Sequence, residues 1–264
     1  MSLPSVLLVG GGRMGSAMLR GWQERGLAPS VVIDPSPAVR VGPGATLVPE
    51  AGEVPAEFRP AAVVLAVKPQ LAEAALTAVA PLVGDAVVLS IMAGRTITAL
   101  RGMLGEVRLV RAMPNTPASI GRGISVACAG PGVDAAARTL CDALLGSVGA
   151  VAWVEEEAML DAVTAVSGSG PAYVFLLAEL LEAAAREQGL PGPLARQLAR
   201  ATVAGAGALL DASAEEAGDL RRAVTSPGGT TQAALAVLMA PAAWPAAVSE
   251  AVRAAAQRSR ELAG

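Results

Sequence analysis

The sequence contains no histidine. That excludes His-based general acid–base chemistry, Ser-His-Asp triads and the usual zinc sites. Lysine occurs once, as Lys68, and every other basic residue is arginine. Any step that needs an amine must therefore use Lys68. Aromatic residues make up only 2% of the chain, so base-stacking platforms are excluded. The net charge is −3 with no basic block, which argues against nucleic-acid partners. The two cysteines, Cys128 and Cys141, lack metal-ligand spacing. They read as buried, reduced thiols of a cytoplasmic protein, and no metal is expected. The opening stretch "MSLPSVLLVGGG" lacks a basic n-region and a cleavage site, and it reads as a strand entering a glycine turn. The uncharged stretch Gln232 to Ser249 is interrupted by Pro241 and Pro245. It reads as two buried helical pieces with a break rather than a membrane span.

What is present is an apolar chain of 264 residues, 53% hydrophobic and 16% charged. It is long enough for one large or two modest domains and far from a disordered composition. Short β-rich runs occupy 5–9, 31–33, 62–67, 86–90, 107–114, 123–129 and 149–154. Several are continuously apolar, as strands buried on both faces require. Helical patterns at 13–26, 70–80 and 133–146 lie between them, and such alternation implies a parallel sheet with right-handed crossovers. After Glu155 the strand signal stops. Segments 156–166, 171–189, 193–212 and 231–239 are rich in Ala, Leu and Glu at helical spacing. Gly189 reads as the end of a helix, and Pro191 and Pro193 as the turn into the next. The expected fold is an α/β Rossmann-like domain over residues 1–155, followed by an all-α dimerisation domain over 156–264. The alanine-rich helices permit close packing, and excess apolar surface is available to bury between subunits.

Four stretches carry candidate chemistry. In "LLVGGGRMGSAML", Gly10, Gly12 and Gly15 fit G-x-G-x-x-G, with a strand before and a helix beginning inside the motif. A tight turn there lets the backbone approach a pyrophosphate, and the helix N-terminus supplies N–H groups and a positive dipole end. The second strand ends at Asp34, where a carboxylate can accept hydrogen bonds from an adenosine ribose. Its charge disfavours a 2′-phosphate and so favours NAD over NADP. Ser36 and Arg40, just beyond, offer partners for a phosphate instead, and Asp34 also fits the role of capping the "DPSP" turn. "AVKPQ" places Ala66, Val67, Lys68 and Pro69 at a strand end, where ligands of open α/β sheets bind. "SIMAG", with Met92 and Ala93, and "RAMPNTP" occupy the same edge. Asn115, between two prolines, either bonds the cofactor or holds its own loop. The candidate cofactor contacts are thus Val9, Gly10, Gly11, Gly12, Arg13, Met14 and Gly15 in the glycine turn, Asp34 and Ser36, then Ala66 to Pro69, Met92, Ala93 and Asn115.

The remaining two stretches lie in the helical half. "SGSGPAY" interrupts a helical pattern with small residues that permit close approach of a helix or a nicotinamide ring. Its Tyr173, the only tyrosine, reads as packing or as a proton donor. "SPGGTT" ends one helical segment and opens another. Thr230 and Thr231 are candidate N-caps, and the N–H groups there form a second anion site or an ordinary helix junction. A hydroxyl beside a bound anion can hydrogen-bond an atom that changes charge.

Together, "VGGGRMGSAM", "AVKPQ", "SIMAG", "RAMPNTPASIGRG", "EEEAMLDAVTAVSGSGPAYVF" and "TSPGGTTQAAL" resemble the pyrroline-5-carboxylate reductase family across the whole chain. The combination of "MPNTP", "SGSGPAY" and "SPGGTT" makes the resemblance specific. It implies NADPH- or NADH-dependent reduction of the C=N bond of 1-pyrroline-5-carboxylate to L-proline. It implies a homodimer with intertwined helical domains, and rings of dimers such as a decamer, with no nucleic-acid or membrane partner. It assigns Thr231 to the ring nitrogen, Gly229 and Thr230 to the substrate carboxylate, and Glu157 to the substrate's surroundings. Departures from the family pattern fall in "EEAGDLRRAV", where Arg222 replaces an acid and Ala223 stands where some members carry asparagine. A ribose-contacting asparagine is also missing near Glu53. Hydroxyacid dehydrogenases share this layout but are similar to one another in a catalytic lysine on the helical domain, which this chain lacks. A non-catalytic dinucleotide-binding regulator would keep the glycine turn without needing Thr231.

Overall fold

The computed structural model describes residues 2–263. An eight-stranded sheet has the order β3-β2-β1-β4-β5-β6-β7-β8. Its strands are β1 (Val6–Val9), β2 (Ser30–Ile33), β3 (Ala45–Val48), β4 (Ala62–Leu65), β5 (Val87–Ser90), β6 (Leu109–Met113), β7 (Gly123–Ala129) and β8 (Gly149–Val154). Helices α1 (Arg13–Glu24), α2 (Ala72–Val83), α3 (Ile97–Leu104) and α4 (Ala135–Leu145) connect them. The apolar runs work because both faces of the sheet are covered. Leu7, Val9, Val63 and Leu65 pack on one side with Leu76 and Leu100, while Val6, Leu8, Val64 and Leu89 pack on the other with Trp22 and Leu144. Alternate residues of one strand thus feed two cores, as the twofold side-chain period requires. Trp22 is fully buried, and its indole N–H is satisfied by the carbonyl of Leu144 at 2.9 Å.

The expected parallel sheet needs a correction. β6 and β7 pair antiparallel, with Arg111 opposite Cys128, while β7 and β8 return to parallel. The reason is the length of the connection. Residues 114–122 hold only a short 3-10 turn, Thr116–Ile120, and a parallel crossover needs about a dozen residues or more. β3 and α3 were absent from the sequence reading. α3 is short but well started, because Thr96 accepts a hydrogen bond from the N–H of Ala99. Cys128 and Cys141 are free and buried, and burial pushes the Cys141 thiol up to about 12.

Beyond the sheet come α5 (Met159–Val163), a π turn (Thr164–Gly168), α6 (Gly170–Glu187), α7 (Gly192–Ala212), α8 (Ala217–Ala223), α9 (Thr230–Leu238) and α10 (Trp244–Ala263). The chain forms two compact units. One runs to Gly168 and regains the residues from Ala255 onward; the other is Ser169–Ala254. The compact division therefore falls later than residue 155 and is not a single cut, because Ser259 bonds Asp161 at 2.6 Å. In the helical unit, α6 and α7 pack together across the turn at Gly189, whose φ of +87° suits glycine. Yet α6 buries no residue, and Val174, Phe175, Leu176 and Leu180 are exposed. α7 buries only Ala195 and Ala199 and exposes Leu209 and Leu210. The run 232–249, expected as buried helical pieces, is indeed α9 and the start of α10, but its residues are half-buried or exposed within the single chain. Contiguous apolar surface on this scale marks an interaction face.

Candidate dinucleotide and substrate sites

The glycine turn is shaped by three different needs. Gly10 has φ +102°, and a Cβ there would lie 2.8 Å from the backbone of Ala66, at the end of β4. A Cβ on Gly15 would come within 2.1 Å of the Gly10 carbonyl oxygen, so α1 can seat on the turn only without one. A Cβ on Gly12, by contrast, would meet nothing within 4 Å beyond its chain neighbours. Gly12 is the N-cap of α1, and no side chain caps that helix. The turn therefore holds itself together through Gly10 and Gly15 and leaves open space at Gly12, in front of uncapped N–H groups. That is the form a pyrophosphate requires, and the residues present fit a dinucleotide.

Asp34 combines the roles that the sequence left open. One carboxylate oxygen accepts from the Gly11 N–H at 2.6 Å, and the other accepts from the Ser36 N–H at 2.8 Å. It closes the "DPSP" turn and braces the glycine turn together. Each oxygen retains acceptor capacity for a ribose hydroxyl. Ser36 and Arg40 are exposed beside it.

Lys68 is exposed after β4, and Ala93 is exposed after β5, both at the carboxyl edge of the parallel strands. Met92 is 2% exposed and its side chain belongs to the core, so only its backbone can face a ligand. Asn115 is committed within the chain. Its amide nitrogen donates to the Ser167 carbonyl at 3.2 Å, and its amide oxygen accepts from the Ile124 N–H at 2.9 Å. Both ends of the amide hold structure, as the loop-support alternative expects.

Glu157 is also committed. One carboxylate oxygen accepts from the Arg111 guanidinium at 2.8 Å and from the Ile97 N–H, at the start of α3, also at 2.8 Å. Arg111 is nearly buried and Glu157 mostly so. Arg111 was missed by the sequence reading, although an arginine inside "LVRAM" was a signal: a charge in a buried strand needs a partner. The second carboxylate oxygen of Glu157 remains available. Arg111→Met should cost about 2–4 kcal/mol of stability, because it strands a largely buried carboxylate. Urea unfolding at neutral pH measures this, and a loss below about 0.5 kcal/mol would show the pair to be dispensable.

In the helical unit, "SPGGTT" forms a tight turn into α9. Gly229, not a threonine, is the N-cap, and no side chain caps the helix. Its N–H donates to the Ser226 carbonyl at 3.1 Å, and the Gly228 N–H is taken by the Gln232 side chain at 2.6 Å. The Gly229 N–H is therefore engaged by the turn. The N–H groups of Thr230, Thr231 and Gln232, in the first turn of α9, are the ones without intrahelical partners. Thr231 is half-buried and Thr230 exposed.

Fold and cradle together define a Rossmann-type dinucleotide-binding protein with a separate helical unit. Comparison with known proteins sharpens this. The family model for pyrroline-5-carboxylate reductase dimerisation matches residues 157–262, and that for coenzyme F420-dependent NADP oxidoreductases matches residues 5–94. Pyrroline-5-carboxylate reductase of Pseudomonas aeruginosa is 39% identical, over 100% of this chain and 98% of its own. The structure of a pyrroline-5-carboxylate reductase from Coxiella burnetii superposes with a TM-score of 0.89 at 31% identity, covering 98% of both chains. That of the Plasmodium falciparum pyrroline carboxylate reductase with NADP bound gives a TM-score of 0.84 at 28% identity, covering 100% of both. The chain belongs to the pyrroline-5-carboxylate reductase family.

Proposed function

We propose that the protein is an NAD(P)H-dependent oxidoreductase that reduces the C=N bond of 1-pyrroline-5-carboxylate to L-proline, the last step of proline biosynthesis. The full-length family match carries this reading. The bound dinucleotide supplies the hydride for the imine carbon. The chain's own residues bind and orient. The Gly10–Gly15 turn receives the pyrophosphate, Asp34 and Ser36 the adenosine ribose, and the backbone of Ala66 to Pro69, Met92 and Ala93 borders the nicotinamide side. The N–H groups of Thr230 and Thr231 hold the substrate carboxylate, and the Thr231 hydroxyl holds the ring nitrogen. The free oxygen of Glu157 faces the substrate's surroundings, while its other oxygen keeps α3 and β6 in place. A cyclic imine is basic enough to bind partly protonated, so reduction needs mainly orientation and a carboxylate clamp. That suits a protein without histidine.

The exposed apolar residues of α6 and α7 are assigned to a second copy of the chain, in a homodimer with intertwined helices that stacks further into a ring such as a decamer. The run Met159–Glu187 is long and apolar enough to cross a membrane, but it lies within the matched dimerisation region. Its surface is covered by protein rather than lipid in this reading, and the protein is cytoplasmic.

The test is oxidation of NADH and of NADPH by the purified protein with pyrroline-5-carboxylate. Activity with neither dinucleotide would leave a non-catalytic dinucleotide-binding regulator. The same assay checks Asp34. Wild type should prefer NADH in kcat/KM, and Asp34→Ala should erase about tenfold of that preference by removing the charge facing a 2′-phosphate. A preference for NADPH that survives the substitution would rule out this role.

A further inference from the structure

The π turn Thr164–Gly168 stands where the first compact unit gives way to α6. π turns interrupt the ordinary helical hydrogen-bond ladder and leave backbone groups to be satisfied otherwise. The sequence adds a second interruption. In an α-helix the Ser167 carbonyl would accept from the N–H of residue 171, but that residue is Pro171 and has none. Asn115 supplies the missing donor at 3.2 Å. The orientation of its amide is fixed, because its oxygen accepts from Ile124 in β7. The contact is close elsewhere too: a Cβ on Gly168 would lie 3.0 Å from the Met113 side-chain methyl, at the end of β6. β6 runs parallel to β5, so this loop lies on the same carboxyl edge as the cofactor candidates after β4 and β5.

Resting on the functional reading above, we propose that Asn115 is a positioning residue for hydride transfer. It locks the loop after β6 to the π turn, so that Ser167 and Gly168 keep a fixed place on the dinucleotide edge where the chain departs into α6. Asn115 touches neither reacting atom. It acts through the Ser167 carbonyl, which proline has deprived of a helical partner. Releasing the clamp spoils alignment without removing any group that binds the dinucleotide.

Asn115→Ala and Asn115→Asp should be compared with wild type in the full-length protein. Both variants should bind NAD(P)H within about twofold of wild type, while kcat for pyrroline-5-carboxylate falls about 10- to 100-fold, as small misplacements of reacting groups do. Hydrogen exchange in peptides spanning 164–171 should be faster in Asn115→Ala. Asn115→Asp replaces the donor with a carboxylate facing a carbonyl. The facing carbonyl disfavours the charged form and raises the carboxyl's pKa, so lowering the pH from about 8 to about 5.5 increases the protonated, donating form. Its kcat relative to Asn115→Ala should then rise, which a merely structural role would not produce. Unchanged kcat, unchanged exchange, or dinucleotide affinity falling in step with kcat would each overturn the proposal. A wild-type protein inactive on pyrroline-5-carboxylate would instead defeat the functional reading, and the exchange measurement would then decide the clamp separately.

Discussion

Replacing Gly12 with valine will leave the protein folded and remove dinucleotide binding. The three motif glycines differ in what they tolerate, and Gly12 is the one that the fold does not need. Its φ of −65° and ψ of −169° are open to any residue, β-branched ones included. Nothing in the chain lies within 4 Å of a Cβ placed there. The helix exchanges a tolerated N-cap for a poor one, at about 1 kcal/mol, too little to unfold a domain with two apolar layers. The isopropyl group, however, stands in front of the uncapped N–H groups of α1, where the pyrophosphate must approach. The Kd for NAD(P)H should rise about 100-fold or more, with the midpoint of thermal unfolding lowered by only a few degrees. Gly15→Ala is the contrasting case. Its methyl would meet the Gly10 carbonyl oxygen at 2.1 Å, so folding and binding should fail together. Fluorescence titration beside a thermal melt separates the two. Near-wild-type affinity in Gly12→Val would show that no pyrophosphate sits on this turn.

The glycine turn was legible because its signal is local: a buried strand, three spaced glycines and a helix within thirteen residues, 7–19. The same holds for the change from alternating elements to helices after Glu155. What escaped was either marginal or distant. β3 is four residues, "ATLV", partly exposed at the sheet's edge, with too little apolar pattern to stand out. The reversal of β7 depends on a short connection, which a count of strand-like runs does not weigh. Arg111 and Glu157 are 46 residues apart, and Ser259 and Asp161 are 98 apart. No periodicity within either segment announces such a pair. In "SPGGTT" the residue types were read correctly but the register was not. Gly229 takes the cap, its N–H closes the turn, and both threonines move one step into the helix. The first-turn donors available for an anion are accordingly those of Thr230, Thr231 and Gln232. Asn115 shows a different gap. Its two readings, ligand contact or loop support, could be weighed only once its amide was seen to bond both the Ser167 carbonyl and the Ile124 N–H.

That shift of register makes Thr231→Val the sharpest test of the substrate site. Valine is nearly isosteric and keeps the backbone N–H, so the carboxylate clamp survives. The hydroxyl does not cap α9, and its loss should therefore cost the fold little. On the proposed reading, what disappears is the hydroxyl that donates to the lone pair developing on the ring nitrogen as hydride arrives at the adjacent carbon. An interaction strengthened in the transition state lowers kcat when removed, whereas one shared with the ground state raises KM. Thr231→Val should thus lose about 100-fold in kcat, the scale of a single preorganised donor, with a smaller change in KM and dinucleotide affinity unaltered. Thr231→Ser, which keeps the hydroxyl, should retain most of the rate. Unchanged turnover in Thr231→Val would remove the residue from the mechanism. The chain's composition sharpens the expectation. There is no histidine, and a threonine does not titrate in the working range. The pH dependence of kcat/KM in wild type should then follow protonation of the imine substrate rather than of an imidazole. Thr231→Val should lower that profile throughout without moving its midpoint, because the group it removes carries no proton equilibrium of its own.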